Sequence, residues 1–219
     1  MIAASVFDLP SYVQHSYLGL LGEQLEVSLG ATVAGLLVSL PIGQACARWR
    51  LLYPPVLGLV TVAYSIPSLA LFVFLIDYTG ITDTTLFIAL ALYSLCVLVP
   101  GVVDGIRTVP PEVKLAADAM GYGPARRYFQ VELPIAAPTI MAAVRVATVS
   151  SISLMSIGAV IGNLGGFGQL FTTGLRSFNL SLVWLGLFSL VVLALLCDIL
   201  LRGAQRLMTP WADRRSARA

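Results

Sequence analysis

The sequence predicts an all-α membrane protein: five transmembrane helices, with a short helical segment between the third and the fourth. Three observations predict it. Hydrophobic residues make up 58% of the 219 residues and charged residues 11%, against about 25% charged in a soluble domain, and mean hydropathy is +0.90. The apolar residues fall in blocks long enough to cross a bilayer. Basic residues gather at alternate ends of those blocks.

Residues 1–24 come first, with Phe7, Leu9, Tyr12, Tyr17 and Leu18 among Asp8, Gln14, His15 and Glu23. This stretch is too polar to span and is expected as an extracytoplasmic segment at the interface, where Tyr is favoured. No basic run or small-residue cleavage site precedes the first span, so no removable signal peptide is expected. The lone His15 has no partner at metal or catalytic spacing.

A crossing takes roughly 20 residues at about 1.5 Å each. Val27–Ala47, Val56–Ile76, Thr84–Val103, Ile135–Ile161 and Leu180–Leu201 meet that length. With no water to satisfy backbone groups, such blocks are helices. Pro41 and Pro67 interrupt the first two; a packing kink and a hinge both fit. Cys46, Cys96 and Cys197 lie in or beside apolar blocks and read as small apolar groups, with neither metal nor disulfide spacing.

Charge sets the expected orientation. Arg48 and Arg50 follow the first span, Arg107, Lys114, Arg126 and Arg127 the third, and Arg202, Arg206, Arg214, Arg215 and Arg218 the fifth. Of 13 basic residues only Arg145 and Arg176 lie elsewhere. The positive-inside rule makes that side cytoplasmic. The N-terminus is then outside, and residues 206–219 form a basic cytoplasmic tail. Asp77 and Asp83 sit on the opposite side.

The segment 108–134 interrupts the apolar pattern yet reads as helix. Pro110 and Pro111 stand where a helix starts, since their missing N–H groups would be unpaired there anyway. Gly121 and Gly123 stop it, and Pro124 opens a second short helix carrying Arg126 and Arg127. A docking surface for a soluble partner and a plain connecting loop are both compatible with this pattern.

Within the spans, Asp198 and Arg202 are spaced i, i+4 for a structural pair, and Asp104 with Arg107 reads the same way. Arg145 is deep, and intramembrane Arg usually faces the bundle interior. Small polar residues follow it: Thr148, Ser150, Ser151, Ser153 and Ser156. They fit tight helix packing or a polar lining. The loop Gly162-Asn163-Leu164-Gly165-Gly166-Phe167-Gly168 has no Gly-Lys-Ser/Thr and no preceding strand, so it is not a phosphate loop; its glycines suit a tight re-entrant or gating turn. No nucleophile–base or metal constellation sits in a span, which argues against a membrane enzyme. Neither a cofactor nor a nucleic-acid partner is expected.

Ala116-Ala117, Gly121 four residues on, and Glu132-Leu133-Pro134 together resemble the EAA loop of ABC-importer permeases. In that family the loop is a coupling helix seated in a cleft of a cytoplasmic ATPase subunit, which carries out the ATP hydrolysis. The resemblance implies ATPase coupling through Leu115, Ala116, Ala117, Asp118, Gly121, Arg126, Arg127, Glu132 and Pro134. One departure stands out: the family's leading acid falls at Leu115, with Glu112 and Asp118 the nearest acids.

Three further stretches are similar to the osmoprotectant branch, importers of glycine betaine, carnitine and choline. They are Ser65-Ile66-Pro67-Ser68-Leu69-Ala70-Leu71, Arg145-Val146-Ala147-Thr148-Val149, and Ile161-Gly162 with Gly165-Gly166-Phe167-Gly168. The resemblance covers about residues 20–205. It implies a type I importer permease fold over residues 25–205, multi-pass in a bacterial or archaeal cell membrane and working by alternating access. The implied partners are ATPase subunits, a second permease subunit, identical or homologous, and an extracytoplasmic solute-binding protein. Because the sequence ends at Ala219, that protein is expected as a separate chain. Ser65, Pro67, Ser68, Arg145, Thr148 and Ser151 are the implied translocation path, and Gly162, Gly165, Gly166 and Gly168 the implied outer gate. Selectivity in such importers lies mostly in the binding protein, whose aromatic cage holds a quaternary ammonium by cation–π attraction; Tyr64, Phe72 and Phe74 are candidate contacts in passage. Related permeases take methionine or other small polar solutes. A passive channel or structural subunit would explain the spans but not the hairpin.

Overall fold

The computed structural model describes residues 11–162, 164 and 166–209, which form helices and turns. The expectations for residues 1–10, for Gly165, for the tail from Pro210 with Arg214, Arg215 and Arg218, and for the side chain of His15 lie outside the described residues. In chain order the helices are α1 (Ser11–Arg48), α2 (Tyr53–Ser65), α3 (Ser68–Thr79), α4 (Asp83–Arg107), α5 (Pro111–Ala119) and α6 (Pro124–Arg127). A π-helical turn (Tyr128–Glu132) follows, then α7 (Leu133–Met155), α8 (Gly158–Gly162), α9 (Gly168–Arg176) and α10 (Leu180–Met208).

Among the described residues, four helical stretches are long and apolar enough to cross a membrane: 17–48, 83–107, 124–162 and 180–208. The bent pair α2–α3 makes a fifth when counted as one span. At 13 and 12 residues, either half alone reaches only about 20 Å, short of an apolar core of about 30 Å.

Three expectations about boundaries differ from the structure. Residues 11–24 are continuous with the first span: α1 is one helix of 38 residues, in which Gln24 is buried and Glu23 half-buried. The span expected at Ile135–Ile161 is α7 plus α8, with a turn at Ser156–Ile157. At its other end, α6 runs through the π turn into α7 without a break. The prolines also differ from one another. α1 continues through Pro41, as α4 does through Pro100 and α7 through Pro138. Only at Pro67 does the chain bend sharply, by 92°. Ile66 before it is extended (φ −69°, ψ 125°), the conformation a following proline favours. The Tyr93 hydroxyl donates to the Ile66 carbonyl at 2.6 Å, pinning the break to α4.

α4 is the centre, packed against α1 on one side and α7 on another. Apolar lipid gives helices no hydrophobic reason to associate, so close van der Waals packing between small residues has to hold them. Gly35 and Gly43 of α1 lie so close to Ser94 and Val102 that an added Cβ would collide with them. Gly101 and Gly105, a small-xxx-small pair on α4, press likewise on Ala143 and on Ile140 with Ala136. One cluster around Leu98, Val102, Ile106, Ala136, Ile140 and Val144 fills the end near the hairpin. Another around Val27, Phe72, Leu86, Leu90 and Met155 fills the opposite end. α2 has no buried residue and α3 only Phe72, so Leu59, Val62, Tyr64, Leu69, Val73 and Phe74 are left exposed.

Candidate functional site

The hairpin is built by local rules. Pro110 is extended (φ −59°, ψ 140°) and Pro111 takes the first helical position of α5. At the far end Gly121 adopts φ +79°. The Tyr122 N–H donates to the Ala117 carbonyl at 3.1 Å and the Gly121 N–H to that of Asp118 at 3.0 Å, the paired bonds of a Schellman stop. Gly123 then leads extended into Pro124.

Charge locks the two arms together. Arg127 donates to Asp118 at 2.6 Å and to Glu132 at 2.8 Å, and Glu132 is only 3% exposed. A buried carboxylate needs such a partner to offset its lost hydration. Arg126 donates to Gln130 at 2.9 Å and lies 4.4 Å from the Tyr122 ring centre. The expected coupling residues therefore divide. Asp118, Arg127 and Glu132 form an internal frame, and Ala117, 1% exposed, is buried within the hairpin. Leu115, Ala116, Gly121 and Arg126 are exposed, and Pro134 is half-buried. The surface of the hairpin carries three large exposed apolar side chains, Leu115 (68% exposed), Met120 (68%) and Phe129 (65%). Sequence reasoning missed Met120 and Phe129, although an apolar residue inside a short polar helical segment was the available signal.

At the opposite end, the glycine loop is held by two residues of the stretch expected at the interface. Gln24 is fully buried. It donates to the Ile152 carbonyl at 2.8 Å and accepts from the Phe167 N–H at 3.1 Å. Glu23 accepts from the Gly166 N–H and the Gln169 side chain, both at 3.3 Å. Tyr17 stacks 5.0 Å from the Phe167 ring and donates to Ser189 at 2.8 Å. Gly166 (φ +52°) and Gly168 are buried, and a Cβ on either would strike the Leu20 or Ser156 carbonyl; Gly162 is exposed.

Between these ends, Arg145 donates to Asp198 at 2.7 Å, and Asp198 also accepts from Arg202 at 2.9 Å. The expected Asp198–Arg202 pair is thus a triad that ties α7 to α10. The expected Asp104–Arg107 pairing gives way to a different contact: the Arg107 guanidinium lies 4.5 Å from the Tyr53 ring centre. Thr148 and Ser151 are buried; Thr148 donates to the Val144 carbonyl, and Ser151 accepts from Thr32 at 3.2 Å. Ser65 and Pro67 are exposed at the α2–α3 break and Ser68 is half-buried beside them. Tyr64 stands edge-on to Tyr93, centroids 6.1 Å apart, and the two border a small hollow with Ser94, Ser150 and Ser151. Phe72 is enclosed in the core and Phe74 exposed. Among the described residues no three His, Cys, Asp or Glu side chains are grouped to hold a metal.

This arrangement matches known proteins. The family described as binding-protein-dependent transport system inner membrane component matches residues 35–214. The choline transport system permease protein OpuBB of Bacillus subtilis is 31% identical over 188 residues, 86% of each chain. The glycine betaine/carnitine/choline transport system permease protein OpuCB of the same organism is 30% identical, covering 86% of this chain and 87% of that one. In structure, a chain of the MetNI methionine ABC transporter solved in inward-facing conformations superposes with a TM-score of 0.82 at 22% identity, covering 92% of this chain and 100% of that one.

Proposed function

Since this chain belongs to the binding-protein-dependent transport system inner membrane components, the permeases of ABC importers, we propose that it carries a quaternary ammonium compatible solute inward. The proposed class is glycine betaine, carnitine and choline. The observation that carries this reading is likeness over most of the chain to permeases named for those solutes. Energy comes from separate ATPase subunits that grip the hairpin. The apolar trio Leu115, Met120 and Phe129 supplies the contact area, and the Arg127 ion pairs keep the hairpin in shape.

A second permease, identical or homologous, covers the exposed face of α2–α3, and the path runs between the two. Support for placing Ser65, Pro67 and Ser68 on that path is the broken span: helix ends in mid-membrane mark binding regions in many transporters. Thr148 and Ser151 back the path from inside the subunit, and Arg145 braces it through Asp198. The glycine loop, with Gly162, Gly166 and Gly168, serves as the outer gate, held shut by Glu23 and Gln24. An extracytoplasmic binding protein delivers the solute and sets the selectivity.

The test is reconstitution of the permease with its ATPase and binding protein in proteoliposomes. Uptake of betaine, carnitine or choline is expected only with all three components and ATP. Uptake of methionine in their place would refute the substrate class and leave the importer standing.

Orientation has its own test, in a background where Cys46, Cys96 and Cys197 are replaced. A reporter cysteine at Thr82, in the turn before α4, is expected to react with an impermeant thiol reagent on intact cells. One at Met120, in the hairpin, is expected to react only after permeabilisation. The reverse pattern would place the hairpin beyond the reach of any ATPase.

A further inference from the structure

The turn between α9 and α10 holds a residue in a place that suits it poorly. α9 ends in the same pair of bonds that stops α5: the Asn179 N–H donates to the Gly174 carbonyl at 2.8 Å, and the Phe178 N–H to that of Leu175 at 3.4 Å. In the hairpin, glycine fills the left-handed position of this stop. Here Phe178 fills it, with φ +53°, the only residue other than glycine with positive φ among the described residues. A side chain there crowds the following carbonyl, which is why glycine is usual. Burial returns nothing, because Phe178 is 95% exposed.

The turn is firmly held. A Cβ on Gly174 would lie 2.9 Å from the Asn179 carbonyl oxygen, so the chain closes tightly there. Asn179 in turn caps α10, accepting from the Ser181 N–H at 3.1 Å. A strained and exposed aromatic on a rigid mount points to a contact made outside this chain.

Its height argues for protein rather than lipid. Trp184 is exposed on α10 and marks the headgroup level, where exposed Trp is favoured. α10 begins at Leu180, four residues and roughly 6 Å of helix rise beyond Trp184, and Phe178 lies in the turn before it. Beside it Leu175 and Arg176 are exposed, and an aromatic with an arginine is the composition of a protein-binding hot spot. The turn belongs to the end of the molecule that carries the glycine loop.

We propose that Phe178, flanked by Leu175 and Arg176, is an anchor on which the extracytoplasmic solute-binding protein docks. This rests on the binding-protein-dependent reading above, with the loop side outside. Phe178 adds a fixed apolar wedge at the mouth of the gate, and the binding protein covers it when it delivers solute.

The strain supplies a clean test, because Phe178→Gly removes the ring and relieves the backbone at once. The permease–ATPase complex in nanodiscs is titrated with the binding protein that restores uptake, and ATP hydrolysis is followed. For Phe178→Gly, the thermal midpoint is expected to stay level or rise, and basal hydrolysis to stay unchanged. The concentration of binding protein giving half-maximal stimulation is expected to rise about tenfold or more, the scale of a hot-spot residue. Phe178→Trp is expected to remain within a few-fold of wild type. An unchanged titration for Phe178→Gly overturns the assignment, and so does loss of basal activity or of permease pairing, which would place the ring inside the assembly. A wild-type complex that no binding protein stimulates sinks the importer reading, and the anchor with it.

Discussion

Ala117→Leu is expected to lower uptake by roughly tenfold or more while leaving the amount of inserted permease unchanged. Ala117 is buried inside the hairpin, where α5 meets α6 and the π turn, and its carbonyl closes the Gly121 stop. A leucine there forces the arms apart, and overpacking a filled site costs about 1–3 kcal/mol, at about 1.4 kcal/mol for each tenfold. The damage falls on the shape of the hairpin before any ATPase arrives. A companion variant separates shape from bulk. Nothing lies within 4 Å of a Cβ added at Gly121, yet its φ of +79° is an outlier for a β-branched residue. Gly121→Val is therefore expected to lose uptake through backbone strain alone. Both variants are scored by copurification of the ATPase alongside uptake. If both retain wild-type values, the segment is only a connector.

The second large effect is expected at Asp198. Replacing it with leucine leaves Arg145 without its carboxylate in the middle of α7. Arg145 and Asp198 are half-buried in this chain, 22% and 18% exposed, and an arginine left unpaired within a span is costly. Arg202 is 60% exposed and can reach the headgroups, so Arg202→Leu should cost less than about 1 kcal/mol. In detergent, Asp198→Leu is expected to lower the midpoint of thermal unfolding by about 10 °C. The double change Arg145→Leu with Asp198→Leu should recover much of that loss, since no lone charge remains. Equal midpoints for Asp198→Leu and Arg202→Leu would show that the triad carries no weight.

Local chemistry was readable in the sequence wherever the determining residues are neighbours. The apolar blocks stood out because an apolar layer demands about twenty such residues in a row. The two arms of the hairpin stood out because Pro110, Pro111, Gly121 and Pro124 act within a turn of themselves. What escaped depends on partners far along the chain. Glu23 and Gln24 look like headgroup residues until the glycine loop, 143 residues away for each of their backbone contacts, folds over them. Pro41 and Pro67 look alike in sequence, and what differs is the surrounding support. α1 is packed against α4 and α7, whereas α2 and the start of α3 are bare on most sides, so the chain bends there. Asp118 looked available for a partner protein, and spacing alone could not reveal that Arg127, nine residues on, occupies it.

The uninterrupted run from α6 through the π turn into α7 has a mechanical consequence. From Pro124 to Met155 the chain is one stiff bar, pinned to α10 at Arg145. By helical rise, the bar extends about 31 Å from that pin to the hairpin tip and about 15 Å to its other end. Were it to tilt about that ion pair, it would act as a lever with unequal arms. For any rigid tilt about that point, a displacement imposed at the hairpin arrives at Met155 reversed in direction and halved in size. The hairpin end of such a lever travels far, and the end at Met155 moves little but with twice the force.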